Sequence, residues 1–332
     1  MERNDVVKLA VDLTRGHVEG NFSKGESTEV LRQALIAANG GSYKLDRKAL
    51  RRNKVEIFEI LEEIIPAIRE EGFRGDEFFN RLVDQRNIGN GDEAVFTVDD
   101  PCYLIVTEIA DGIAYPRRQR LAGKQSVTVT TTVHAVRVYE EFSRFMAGRI
   151  DWNDLIAKVA QAFAQKIYSD IYTALNGVTS STLGLNSTYV TGGTYDEANL
   201  LALVEHVEAA TNKPAMIFGT KAALRKVTTA VMADQAKQDY YEQGYYGRVA
   251  GIPMVAVRQN HTPGTDTFAV TDDKLWVVAS DDKPFKLVFA GDAWIDDKTD
   301  GTQADKTIEY TYEESFGIGV IFNGKMGVFA LA

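Results

Sequence analysis

The sequence predicts an α+β fold built around one unusually long helix. Three observations carry that prediction. Residues 151–175 hold a single apolar stripe at helical spacing: Trp152, Leu155, Ile156, Val159, Phe163, Ile167, Ile171 and Leu175. The strand-like stretch 126–139 changes its apolar face midway, from Val127, Val129 and Val133 to Val136 and Val138. The C-terminal half alternates helical runs with many short apolar runs, each bounded by turn residues.

Composition sets the outer limits. The chain has 332 residues, of which 45% are apolar and 25% charged, the profile of a folded protein. A chain of this size buries roughly 75% of its unfolded surface, so it needs no disulfides to hold a core. Its one cysteine, Cys102, excludes an intramolecular disulfide and a cysteine-built zinc site. The start lacks the basic and apolar segments of a signal peptide, and no apolar run reaches the ~18 residues of a membrane helix. A soluble, intracellular product is expected, with no membrane partner. The net charge of −10 argues against attraction of the whole molecule to nucleic acid.

The elements follow in order. Residues 1–50 are polar and broken by Gly16, Gly20, Gly25 and Gly40-Gly41, so they read as an arm without core. Within it, Ser27 caps a short helix that ends at Asn39-Gly40. A helix is expected over 46–71 from Val55, Phe58, Leu61, Ile65 and Ile68, with Pro66 bending or splitting it. Residues 94–98 and 103–109 read as strands joined by Asp99-Asp100-Pro101. Residues 111–139 read as a long hairpin that leaves the body and returns. Such a hairpin is marginal alone, so something outside the monomer should hold it.

The helix over 151–175 opens on Asp151, closes on Asn176-Gly177 and spans ~38 Å. Thr194 to Glu197 forms a capping box before Leu200, Leu203, Val204 and Val207. A strand over 214–218 leads to Thr220, which caps a helix through about Ala236. Residues 240–247, rich in Tyr and Gly, read as a mobile loop. Short strands are expected at 252–257, 267–270, 275–279, 285–290, 307–312, 318–323 and 327–331.

Charge is unevenly spread. Residues 111–150 carry a net +4 from Arg117, Arg118, Arg120, Lys124, Arg137, Arg144 and Arg149. Residues 260–315 carry a net −8. The segments are either two solvated faces or complementary surfaces that pair between copies.

No catalytic or cofactor constellation is present. His17, His134, His206 and His261 are scattered, without ligand spacing. Cys102 has no base beside it in the sequence. Gly319 to Lys325 matches seven positions of a phosphate-binding loop, but Met326 replaces the hydroxyl residue and the interior is strand-like. The acidic stretch 292–301 places Lys298 where a calcium loop needs oxygen. Neither a metal nor an organic cofactor is expected.

The order of elements resembles the major capsid protein of tailed bacteriophages, the HK97-type fold. Arg117 to Gly123 resembles that family's extended E-loop. Gly148 to Ile156 leads into what resembles its spine helix. Lys213 to Phe218, with the following helix, resembles its axial domain, as does Gly247 to Val255, where Met254 stands for the usual Val. Glu314 to Leu331 resembles the returning strands of its peripheral domain.

The resemblance implies an N-terminal arm (1–50), a helix and first strands of the peripheral domain (51–110) and an E-loop hairpin (111–139). After these come the spine helix with more of the peripheral domain (140–193), an axial domain (194–306) and returning strands (307–332). It implies a non-enzymatic subunit that assembles as hexamers and pentamers into an icosahedral shell around double-stranded DNA, without sequence-specific contact. The remaining partners would be a separate scaffolding protein and a portal protein, with assembly in the host cytoplasm. No maturation cleavage is expected at the N-terminal end.

On the same resemblance, Arg117, Arg118, Arg120 and Lys124 would touch neighbouring subunits, and Lys124 and Asn323 are the candidates for an isopeptide crosslink. Two alternatives stand beside this reading. One is an encapsulin-type nanocompartment shell. The other, more remote, is a soluble α/β hydrolytic enzyme using the carboxylates between Asp292 and Glu314, which the sequence places in open water.

Overall fold

A computed structural model describes residues 8–9, 12, 33, 37, 47–98, 118, 123–141, 152–177, 187–227, 234–262, 265–297, 307–322 and 325–332. Two long helices dominate it: α1 (Arg47–Arg74) and, later in the chain, α3 (Trp152–Asn176). They pack against each other and against one face of a four-stranded sheet. The expected stripe of α3 is buried from Ile156 to Leu175, and Gly177 closes the helix by donating to the Thr173 carbonyl. Pro66 does not split α1, which runs unbroken through it. Ile64, Ile65 and Phe73 bury on both sides of the proline, and that packing offsets the one lost backbone bond.

Next to α1 lie the short helix α2 (Glu77–Leu82), capped by Asp76 through the Phe78 amide at 3.0 Å, and strand β1 (Val83–Ile88). The strands that follow are β2 (Ala94–Val98), β3 (Gln125–Val129), β4 (Thr132–Glu141) and, beyond α3, β5 (Val190–Gly193). Helix α4 (Glu197–Thr211), β6 (Ala215–Thr220), α5 (Lys221–Arg225), α6 (Asp234–Gln243), β7 (Arg248–Val249) and β8 (Ile252–Val257) come next. The chain closes with β9 (Lys274–Ala279), β10 (Phe285–Asp297), β11 (Thr307–Val320) and β12 (Gly327–Leu331).

The strands form three sheets: β1-β10-β11-β4, β5-β12-β9-β6-β8-β7 and the ribbon β2-β3. In the six-stranded sheet β6 is buried at every position, as a central strand covered on both faces must be. Met216, Phe218, Trp276 and Val278 face the core shared with α1 and α3. Ile217, Leu275 and Val277 alternate to the other face, beneath Leu200, Leu203, Val204 and Val207 of α4.

Several expectations are corrected. The stretch 126–139 is two strands: β3 pairs with β2, whereas β4 pairs with β11. Residues 132–139 therefore belong to the four-stranded sheet and not to a projecting hairpin. The change of apolar face marks the change of partner at Thr130-Thr131. Residues 307–312 and 318–320 are parts of one continuous strand, and β10 extends past residue 290 through a bulge between Ala290 and Trp294. The polar β1 carries too little apolar pattern to be read as a strand.

The sheets also cut across the expected segments. Strand β10, expected with the axial domain, lies in the four-stranded sheet, and β12, expected with the returning strands, lies in the six-stranded one. Leu9, expected in a coreless arm, packs on the first core. The cap of α4 is Asp196 rather than Thr194, so no capping box forms. Helix α5 stops at Arg225, where the β-branched run Val227-Thr228-Thr229 begins. Residues 240–247 are not a loose loop: Tyr240 to Gln243 end α6, and Tyr245 and Tyr246 are buried in the second core. The strand expected at 267–270 is only a bridge between His261 and Phe268. The strand at 103–109 and the helix capped by Ser27 lie outside the described residues, apart from isolated positions.

Candidate functional site

The ribbon β2-β3 roots the basic segment, and a few side chains seat it. Ala94, Phe96 and Val129 turn inward onto Val288 and Ile321. The Phe96 ring lies 4.1 Å from the Arg86 guanidinium carbon and 5.4 Å from the Lys286 ammonium. Lys286 is buried and donates to Asp84 Oδ2 at 3.3 Å, and Arg86 donates to the same oxygen at 3.2 Å. Two cations therefore share one carboxylate and one aromatic ring at the base of the ribbon.

Where the chain steps from β3 to β4 it crosses β11 at very short range. A Cβ on Gly317 would lie 2.1 Å from the Thr130 oxygen, and one on Gly319 would lie 2.8 Å from Val129 Cγ2. Only glycine leaves room for this crossing.

Of the residues singled out in the sequence, Arg118 and Lys124 are described and exposed. Lys124 directly precedes β3 at the end of the ribbon farther from the crossing. Arg117, Arg120 and Asn323 lie outside the described residues. Sequence reasoning missed the Phe96 clamp and the glycine crossing. The Gly317-Ile318-Gly319 spacing within an apolar strand was the available signal.

A groove of about 1000 Å³ runs between α1 and the β10 bulge. Glu59, Glu62, Glu63 and Glu70 line it from α1 at helical spacing, and Asp292 and Trp294 line it from the bulge. Gly291, at φ +71°, closes against Asn90 of the β1–β2 turn. Glu62 accepts the Ile295 amide at 2.7 Å, and burial pushes its carboxyl above the usual range.

At the groove floor Arg69 of α1 donates to Glu314 of β11, both buried. The Arg69 guanidinium also stacks 4.1 Å over Phe289. Burial raises the Glu314 pKa, against the lowering effect of Arg69. Glu314 is thus shielded, contrary to the expectation of a carboxylate cluster open to water.

Of the four histidines, His134, His206 and His261 are described, each in a different element or loop. His134 stacks on Phe316 at 3.9 Å and shares a 3.0 Å hydrogen bond with Thr132. Burial first, then Lys166, lower its pKa. His261 lies beside Phe268, and His206 beside Tyr189. Among the described residues no group of three His, Cys, Asp or Glu is placed to hold a metal. No helix among them is long and apolar enough to cross a membrane.

The family described as "SPbeta prophage-derived putative capsid protein YonB" matches residues 21–330. The chain belongs to this family. Members of the YonB family are phage capsid proteins by description, so this chain is a capsid subunit, a component of the virion that builds a shell by self-association. Its fold is the HK97-like fold of phage capsids.

Among solved structures, the mature capsid of bacteriophage PhiM1 matches at a TM-score of 0.51 and 12% identity, covering 77% of this chain and 87% of that one. The capsid of the native GTA particle matches at 0.50 and 12% identity, covering 76% and 89%. No curated protein matches the chain. The sequence-based expectation of a capsid fold holds, and the encapsulin alternative is the less supported of the two shells.

Proposed function

We propose that many copies of this YonB-family subunit assemble as hexamers and pentamers into an icosahedral phage head that encloses double-stranded DNA. Its role is structural and non-enzymatic. A separate scaffolding protein and a portal protein take part, and assembly proceeds in the host cytoplasm. Arg117, Arg118, Arg120 and Lys124 contact neighbouring subunits.

One observation carries this reading. The basic segment lies in the sequence between the two strands of a ribbon of only five residues a side, tied to the body by a small cluster. A two-stranded ribbon of that size is marginal alone, and a neighbouring copy braces it. Each contact can be weak because a shell makes many at once. The net acidic charge suits a shell that lines packaged DNA without gripping it.

The test is negative-stain electron microscopy of the purified protein, expressed alone and with its genomic neighbours. Closed shells or rings of five and six are expected, and DNA-filled heads when packaging partners are present. A stable monomer under both conditions overturns the reading. Shells filled with an enzyme in place of DNA would mark a nanocompartment.

A further inference from the structure

We propose that Asn90 is a self-modification site, at which the chain slowly converts its own asparagine to aspartate and isoaspartate through a cyclic imide formed with Gly91. The inference does not depend on how copies pack together. Slow chemistry of this kind accumulates in a virion component, because no synthesis replaces the subunits of a finished particle.

The reaction needs a side-chain carboxamide free to bend and a following backbone nitrogen free to attack it. It also needs no Cβ on the following residue to block the approach. Four Asn-Gly pairs occur in the chain, at 39–40, 90–91, 176–177 and 323–324. The second and third fall among the described residues, and the fold treats them in opposite ways. Asn176 ends α3. Its Nδ2 donates to the Ala269 carbonyl at 2.7 Å, and Gly177 N donates to the Thr173 carbonyl at 3.1 Å. The leaving nitrogen and the attacking nitrogen are both held.

Asn90 and Gly91 instead lie exposed in the turn between β1 and β2. Asp92 N closes that turn on the Gly89 carbonyl at 3.1 Å. Neither the Asn90 side chain nor the Gly91 amide has a hydrogen-bond partner among the described residues. Gly91 stands at φ +91°, with nothing within 4 Å of where a Cβ would be. The turn therefore leaves both reacting groups open to solvent and to each other.

The step balances with water as the only co-reactant. Gly91 N attacks Asn90 Cγ. The N–Cγ bond forms, the Cγ–Nδ2 bond breaks, and Nδ2 leaves as ammonia with the proton that Gly91 N gives up. Water then opens the imide at either carbonyl, giving aspartate or isoaspartate. The net exchange of NH for O adds about 1 Da and a new carboxylate.

The surroundings give the change a consequence. A Cβ on Gly291 would lie 3.1 Å from Asn90 Cβ, so the turn rests on the β10 bulge. Asn90 and Asp292 line the same groove. A carboxylate at 90 adds charge to a surface already rich in carboxylates, and the isoaspartyl form also routes the main chain through Cβ and lengthens the turn.

Peptide mapping by mass spectrometry tests the assignment on the wild-type chain, incubated in mildly alkaline buffer both folded and in denaturant. In the folded protein Asn90 should convert at least about tenfold faster than Asn176, and in denaturant the two should convert at similar rates. Isoaspartyl groups, labelled by an isoaspartate methyltransferase, should appear at 90. An Asn90 that stays intact in the folded protein, or converts no faster than Asn176, overturns the proposal. A gap that persists unchanged in denaturant overturns the protection assigned to the fold. Asn90→Gln would need a six-membered ring and should stay unconverted. Loss of ammonia at position 90 of that variant at the wild-type rate overturns the cyclic-imide route.

Discussion

Gly317 passes directly beneath the backbone of Thr130, where a Cβ at 317 would stand 2.1 Å from the Thr130 oxygen and 2.9 Å from its carbonyl carbon. The atoms it would meet belong to the main chain of Thr130 and Thr131, so the clash cannot be relieved by turning a side chain. Gly317→Ala should lift the β3–β4 crossing off β11. The expected cost is ~1–3 kcal/mol, as for an overpacked core. A lowered Tm together with faster amide exchange across 123–133 would verify it. An unchanged exchange pattern would show that the crossing is not seated as described.

The Arg69–Glu314 pair joins α1 to β11 inside the protein. Removing one partner leaves an uncompensated buried charge. Arg69→Met or Glu314→Leu should each cost about 3–5 kcal/mol. The double variant Arg69→Met/Glu314→Leu should recover most of that loss. Chemical denaturation of the three variants measures the coupling, and strictly additive losses would contradict a direct pair.

Phe96 pins the ribbon between Arg86 and Lys286. Phe96→Ala should cost roughly 3–5 kcal/mol for the emptied site. The loss should concentrate in the ribbon, so limited proteolysis should cut near 94–129 well before the rest of the chain. Uniform cleavage throughout the chain would argue against a local clamp.

His134 gives the fold a pH dependence of known sign. Its pKa lies below the usual histidine value, so the folded state binds the proton less readily than the unfolded chain. The stability it contributes is complete above the unfolded pKa and is lost as pH falls through the folded one. The groups facing it are Lys166 and Asp170 of α3, with Thr132 and Phe316 on the sheet. His134→Phe keeps the ring stack and removes the titration. Between about pH 7 and about pH 5 its Tm should fall less than that of the wild type. Equal falls would place the acid sensitivity elsewhere.

Much of the local structure was legible in the sequence because local physics sets it. The stripe of α3, the Thr220 cap and the apolar face of α4 depend on neighbours three or four residues away, and each appears as expected. The charge asymmetry that motivates a self-assembling reading was visible for the same reason. Strand β1 was missed because its partner, β10, is about 200 residues distant, and its polar side chains carry no period of their own.

The sequence by itself therefore determined the α+β class, the long helix, the absence of a recognisable catalytic motif and the resemblance to a capsid subunit. Tertiary structure alone decided which sheet each strand joined and where the ribbon ends. It also decided that Arg69 meets Glu314, and that α1 carboxylates share a groove with the β10 bulge. The reason is physical. Helical spacing and capping act over a few residues and leave a mark in the order of amino acids. Strand pairing and buried ion pairs join positions separated by tens to hundreds of residues, and no local pattern records them.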